Sequence, residues 1–340
     1  MTHAPPGPAA PERPAWKAWA WRLLTLGFFV LVVVVLARMA RTLDWGTVVA
    51  TLTAYRAGTL ALAAAFAACS YLVYAGYELA ARRYSGHTVP PATTGLVGMV
   101  SYAFNLNLGA WLGGIGFRLR LYSRLGVDAA GTARLFLSTL MSNWTGYLAV
   151  AGVAFAFYGL DLPREWELSD RGLRWVGGVL LLAALGVLLL CTFSRKRHLS
   201  VRGHEFDLPS GPQAALQMAL GATNWMLMAG IVYTLLPHAP ASPAYGTVLA
   251  TLLVACIAGV VTHIPAGLGV LEAVFLTLLG HRVPESQLLG ALLAYRAVYF
   301  LCPLVAAGLA YAWLESGLRH GRGPRRRSHR PATAGHRPAP

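Results

Sequence analysis

Long apolar runs divide this chain into eight segments, near residues 19–37, 57–80, 93–117, 133–159, 173–193, 214–236, 245–280 and 287–314. Several reach the roughly 18 residues that a helix needs to cross a hydrocarbon core about 30 Å thick, so the pattern predicts an all-α polytopic membrane protein. Two segments interrupt their own pattern. The third holds Asn105, Asn107, Gly109, Gly113, Gly114 and Gly116. The seventh contains Thr262 to Leu276, THIPAGLGVLEAVFL, where Pro265, Gly267, Gly269 and Glu272 stand in place of aliphatic residues. Helix breakers and open backbone are tolerated at bilayer depth only where protein or a water-filled cavity covers them.

Charge in the short loops orients the segments, because cytoplasmic loops are enriched in Lys and Arg. Arg82-Arg83, the stretch Arg118 to Arg134, Arg195-Lys196-Arg197 and the Arg-rich tail read as cytoplasmic. The loop His238 to Ala244 has no Lys or Arg, and Asp161 to Arg174 is acid-balanced; both read as external. Residues 38–56, with three Arg against one Asp, favour neither side clearly. Both flanks of 93–117 then lie on one side, which predicts a re-entrant hairpin. Segment 245–280 enters from outside ahead of a last span that ends in the cytoplasm, so it must return as well, turning at His263-Ile264-Pro265-Ala266-Gly267.

The resulting fold is about six full spans plus two re-entrant hairpins that dip from opposite faces. Its halves, about 19–159 and 173–314, each run span, span, hairpin, span, with opposite polarity. Leu112-Gly113 and Leu268-Gly269 recur 156 residues apart, as do Val127 and Val283. An inverted repeat of this kind places a site near the midplane between broken helices. Eight ordinary transmembrane helices with small-residue packing faces are the alternative.

Of the 340 residues, 12% are charged and 56% hydrophobic, about half the charged fraction of a soluble globule. Much of the net charge of +15 sits in the segment 319–340, where Arg319, Arg322, Arg325, Arg326, Arg327, Arg330 and Arg337 follow the last apolar run. No nucleic-acid recognition motif accompanies it, so the segment reads as a disordered cytoplasmic tail that touches anionic membrane lipid. Residues 1–18 are Pro/Ala-rich and read as a disordered leader to an uncleaved first span, leaving 19–318 as one transmembrane domain. Cys69, Cys191, Cys256 and Cys302 lie in apolar segments without metal-ligand spacing. No nucleophile and base in order, phosphate-cradling loop or HExxH pattern is present. No metal, cofactor or catalytic residue is expected.

A charge near the bilayer centre costs about 2.5–3.5 kcal/mol on insertion scales, so each one needs a partner or a wet cavity. Glu272 follows the Pro265-x-Gly267-x-Gly269 break, and Arg296 lies inside the last span. They read either as a neutralising pair that staples the second hairpin to that span, or as the lining of a polar cleft in which Arg296 meets a headgroup phosphate. Arg118 and Arg120, at the cytoplasmic mouth of the first hairpin, are collectors of anionic lipid or positive-inside anchors. Asn105 and Asn107 serve either a headgroup or the exposed backbone of the turn, the second being favoured. Gly109, Gly113, Pro265, Gly267 and Gly269 are the expected hairpin turns. Glu78 is placed to pair with Arg82 four residues on. Asn143-Trp144 and Asn224-Trp225 are expected at interhelical contacts.

Three stretches carry a resemblance: Ser101 to Tyr122 (SYAFNLNLGAWLGGIGFRLRLY), Pro265 to Ala273 (PAGLGVLEA) and Ala294 to Gly308 (AYRAVYFLCPLVAAG). Together they resemble the transmembrane region of the lysylphosphatidylglycerol synthetase family, which includes the flippase domain of the multiple peptide resistance factor and stand-alone inner-membrane proteins of the YbhN type. The resemblance implies a bacterial inner-membrane protein that moves phospholipid, such as aminoacylated phosphatidylglycerol, between leaflets. It marks Gly267, Gly269, Glu272 and Arg296 as motif positions, with Gly113 and Arg118 in the first half. The first motif departs from the family: Ala110-Trp111 precede Leu112-Gly113 and Gly114 follows, where relatives carry a proline and an acid. The loop charges put both termini in the cytoplasm. Only 22 residues follow Leu318, so the aminoacyl-transferase domain of the synthases is expected to be absent and the chain not to be an enzyme. A non-transporting subunit or scaffold for a separate lipid-modifying enzyme is the alternative function. A homo-oligomer is left open.

Overall fold

The computed structural model describes residues 45–85, 87–160, 162–163, 169–194, 198–201, 204–237, 242–262 and 267–320, with positions 27, 30, 34 and 41 ahead of them. The N-terminal segment 1–18, most of the expected first span, Pro265 and the tail from 321 on lie outside the described residues.

A short helix α1 (Trp45–Ala54) opens the described chain and is followed by α2 (Ala57–Ser85). Next come α3 (Pro91–Gly109), a π-helical segment (Ala110–Gly116), α4 (Phe117–Arg124) and α5 (Ala129–Phe157). Then α6 (Asp170–Phe193) leads through a two-stranded antiparallel ribbon, β1 (His198–Val201) and β2 (His204–Asp207), into α7 (Gly211–Leu235). The chain ends with α8 (Tyr245–Thr262), α9 (Val270–Leu279), α10 (Glu285–Arg296), a second π-helical segment (Ala297–Leu301) and α11 (Cys302–His320). The architecture is an all-α bundle, and the ribbon is its only sheet among the described residues.

Local chemistry sets the boundaries. Pro91 opens α3, where its missing N–H removes no helical bond. Asp128 caps α5, its carboxylate accepting from Gly131 N at 2.9 Å, and Ser169 caps α6, its hydroxyl accepting from Gly172 N at 3.1 Å. Gly126, at φ 82°, supplies the left-handed residue after α4. Helix α1 falls in the stretch 38–56 to which the loop charges gave no side; it leans on α10.

Among the described residues, six helices are long and apolar enough to cross a membrane: 57–82, 129–157, 171–193, 211–235, 245–262 and 285–316, the last running through the second π segment. Five match expected spans. The sixth, 245–262, was expected as the first arm of a re-entrant hairpin; its 18 residues rise about 27 Å at 1.5 Å per residue, a length comparable to the hydrocarbon thickness.

The chain reverses in both places where the sequence is broken. At Gly109 the backbone adopts φ 81°, and the return arm packs against the arm before it. A Cβ on Gly113 would collide with the Phe104 carbonyl and Asn105 N, and the Phe104 and Phe117 rings stack with centroids 3.8 Å apart and planes 6° apart. In a straight helix, nine residues would separate Phe104 and Gly113 by about 13 Å. Eight ordinary helices are therefore excluded. Gly113, expected as a turn residue, lies instead four residues into the return arm, where the absence of a side chain permits the contact. The second reversal places a Cβ on Gly259 3.8 Å from Gly267 Cα. Gly267 and Gly269, at φ 56° and 80°, shape its described part, and residues 263–266 lie outside the described residues.

The two halves correspond. Helices α2, α3 and α5 start at 57, 91 and 129, and α7, α8 and α10 start at 211, 245 and 285, displacements of 154, 154 and 156 residues. Val127 and Val283 are both buried just ahead of the span that follows each hairpin. The halves meet where α5 crosses α7. A Cβ on Gly146 would overlap the Gly221 backbone, and one on Gly221 would overlap the Ser142 carbonyl, a close approach that small residues permit between membrane helices.

Candidate functional site

Between the tips of the two hairpins lies a cavity of about 340 Å³. Asn105 and Ala110 reach it from the first hairpin, Gly259 and Gly267 from the second, and Trp144 and Trp225 from α5 and α7. No acidic or basic side chain lines it among the described residues. Its polar groups are neutral: the amides of Asn105 and Asn143, Thr139, and the tyrosines Tyr74, Tyr102 and Tyr295. The Asn105 side-chain carbonyl is buried and has no hydrogen-bond partner among the described residues.

The charged candidates stand behind this wall. Arg296 Nε donates to Glu272 Oε1 at 2.6 Å, and its Nη2 donates to Glu272 Oε2 and to the Gly267 carbonyl, both at 3.0 Å. Its guanidinium lies 5.8 Å from the centre of the Phe300 ring. Gly267 and Phe300 line the cavity while Arg296 and Glu272 do not, so the pair fastens the lining from outside. Glu272 Oε2 also accepts from Gly269 N at 3.0 Å, closing the first turn of α9. Of the two readings drawn from the sequence, this is the geometry of the staple.

In the first half, Arg118 is fully buried. Its Nη2 donates to Glu78 Oε2 at 3.0 Å and to the Tyr74 hydroxyl at 3.2 Å, and its Nη1 donates to the Gly114 carbonyl at 3.0 Å. Tyr122 donates to Glu78 Oε1 at 3.1 Å. Glu78, expected to pair along its own helix with Arg82, thus reaches across to α4. Gly98 makes room for it: a Cβ there would stand 2.9 Å from Glu78 Cβ. Arg118 has no exposed surface with which to collect lipid.

Arg120 is engaged with α11. Its Nε donates to the Tyr311 hydroxyl at 2.6 Å and its Nη2 to Glu315 Oε1 at 3.3 Å, an oxygen shared with Arg124 Nη2 at 3.1 Å. Asn107 serves backbone, donating to the Ala103 carbonyl at 2.8 Å and the Phe300 carbonyl at 3.3 Å.

One cluster was not assembled from the sequence. Asn224 Nδ2 donates to the Tyr102 hydroxyl at 3.3 Å, Tyr102 and Tyr299 share a bond of 2.8 Å, Tyr299 and Ser70 one of 2.7 Å, and Ser70 donates back to Asn224 Oδ1 at 2.6 Å. This closed ring joins α2, α3, α7 and the second π segment, and hence both halves. Its signal in the sequence is the run Ser70, Tyr71, Tyr74, Tyr77 and Glu78, polar groups at helical spacing on one face. The expected contact at Asn143-Trp144 and Asn224-Trp225 is present, with Trp225 Nε1 donating to the Asn143 carbonyl at 3.2 Å.

Comparison with known proteins adds to this geometry. The family described as lysylphosphatidylglycerol synthase TM region matches residues 22–307. The chain is 41% identical over 306 residues to the inner membrane protein YbhN of Escherichia coli (strain K12), covering 90% of this chain and 95% of that protein. It is 35% identical over 289 residues to protein slr0712 of Synechocystis sp., covering 84% and 88%. It is 25% identical over 213 residues to the phosphatidylglycerol lysyltransferase of Staphylococcus haemolyticus, covering 61% of this chain but 24% of that protein.

Proposed function

Because the chain belongs to the lysylphosphatidylglycerol synthase transmembrane-region family, we propose that this multi-pass membrane protein is a flippase-like transporter of the bacterial inner membrane, without enzymatic activity of its own. It carries a phospholipid headgroup of the anionic or aminoacylated phosphatidylglycerol type past the hairpin tips while the acyl chains stay in lipid. The observation that carries this reading is the cavity shared by the two tips, at the junction of two corresponding halves. A headgroup in hydrocarbon loses its hydration without replacement; a tip-to-tip cavity offers amide and hydroxyl groups in exchange. Glu272, Arg296, Glu78 and Arg118 act as positioning residues that hold the hairpins to the bundle, and Asn105 meets the headgroup.

The test is leaflet exchange in sealed vesicles, with fluorescent phosphatidylglycerol and a reductant that bleaches only the outer leaflet. Wild type should expose the inner-leaflet probe to bleaching, and Asn105→Leu or Gly259→Trp, which remove or fill lining of the cavity, should slow that exposure while the protein still inserts. Exchange no faster than in empty vesicles would overturn the reading.

A second reading has its own support. The staphylococcal relative holds the matching region within a much longer chain named as a phosphatidylglycerol lysyltransferase; on this reading the present chain is the membrane subunit of a separate lipid-modifying enzyme. Co-purification with such an enzyme, together with no exchange by the isolated protein, would favour it.

A further inference from the structure

A second cavity, of about 500 Å³, opens at the end of the bundle where α1 gives way to α2, α7 stops and α10 begins. It is lined by Arg56, Thr51, Thr59, Thr234, Ser286 and Gln287 among others. The Arg56 guanidinium is exposed and has no hydrogen-bond or ion-pair partner among the described residues, unlike Arg118, Arg120 and Arg296, each committed to a carboxylate. Among the described residues, no acidic side chain lines this cavity.

The position fixes which chemistry meets it. Three membrane-crossing helices, 57–82, 211–235 and 285–316, have ends here, so the cavity lies at the level where spans leave hydrocarbon and lipid phosphates lie. The loop charges make this the external end. A phosphate presents several acceptor oxygens. A guanidinium fork meets two of them in one plane, and the hydroxyls of Thr51, Thr59 and Ser286 with the Gln287 amide supply further donors. The volume falls within the roughly 300–1,000 Å³ of small-molecule sites.

We propose that this cavity binds a phosphate group, with Arg56 as its cationic anchor. The site is separate from the cavity between the hairpins. It rests on the transport reading only for why a headgroup would visit; binding itself does not require exchange.

The experiment is native mass spectrometry of the purified protein released from micelles containing phosphatidylglycerol, with glycerol 3-phosphate as a soluble competitor. Arg56→Gln and the cavity-filling Gln287→Phe should each reduce retained phosphatidylglycerol at least severalfold. Arg134→Gln, which removes the same charge from an exposed position near the start of α5, at the other end of the bundle, should not. Retention abolished by glycerol 3-phosphate means that the soluble phosphate ester is enough for recognition. Retention that resists it means that the acyl chains take part and assigns the site to a membrane lipid. Equal retention in wild type, Arg56→Gln and Gln287→Phe would overturn the proposal. A wild type that binds in this way yet shows no leaflet exchange would leave the site standing and remove the transport reading.

Discussion

Arg296 and Glu272, 24 residues apart in the chain, form a two-point ion pair at 2.6 and 3.0 Å, and the same guanidinium holds the carbonyl of Gly267. One side chain on α10 thereby fixes both the left-handed turn and the first helical turn of the second hairpin. Arg296→Ala leaves a half-buried carboxylate and a turn carbonyl without their donor. We expect a loss of about 2–4 kcal/mol, somewhat below the roughly 3–5 kcal/mol of a fully buried pair because Glu272 retains some exposure. Glu272→Gln should cost less, since an amide still accepts from Gly269 N. Thermal unfolding followed by intrinsic fluorescence in detergent would measure both. Equal stability of Arg296→Ala and wild type would show that the hairpin holds itself.

The pair Glu78 and Arg118 should be less forgiving, because both side chains are fully buried. Removing either partner strands the other's charge, at about 3–5 kcal/mol. Arg118→Lys should recover little, since an ammonium cannot supply the separated donors that reach Glu78, Tyr74 and Gly114 at once. Gly98→Val should weaken the same pair from the α3 side by displacing Glu78. Folded yield in membranes and monodispersity after extraction are the measurements. A well-folded Arg118→Ala would mean that water replaces the guanidinium.

Both reversals were legible in the sequence for a physical reason: a backbone break at depth requires residues that aliphatic helices lack. The Glu272–Arg296 pair was legible because each is an isolated charge in an apolar run. Glu78 was assigned the nearer Arg82 because spacing along a helix carries no information about Arg118, 40 residues away. The length of the second hairpin's first arm was not legible, because a glycine-rich turn shows that a chain reverses without showing where. The cavity lining was invisible for another reason. Asn105, Trp144, Trp225 and Gly267 come from four separate elements, and their convergence is a property of packing alone.

Packing also predicts where glycine is required. Gly146→Leu should block the contact of α5 with α7, where even one carbon overlaps the Gly221 backbone, and with it the junction of the two halves. Gly178→Leu is the control, since nothing lies within 4 Å of its Cβ position. The first should lose most folded protein on extraction, as overpacking commonly costs 1–3 kcal/mol or more; the second should extract like wild type.

The native cysteines report whether the cavity is wet. Cys256 lines it, Cys191 is buried, and Cys69 and Cys302 are exposed on the apolar outside of the bundle. A thiol reacts as thiolate, so a small charged thiosulfonate modifies only a cysteine that water reaches. In vesicles, a protein retaining Cys256 alone should therefore react, whereas one retaining Cys69 or Cys302 alone should not, because hydrocarbon surrounds exposed positions on an apolar span. Gly259→Trp should protect Cys256 by filling the space beside it without removing any polar group. This last comparison decides between two kinds of cavity. A polar lining that excludes water would leave Cys256 inert in both proteins, and a headgroup would then have to shed its hydration in full before entering. Protection by Gly259→Trp alone would show that the shared space between the tips is the hydrated route.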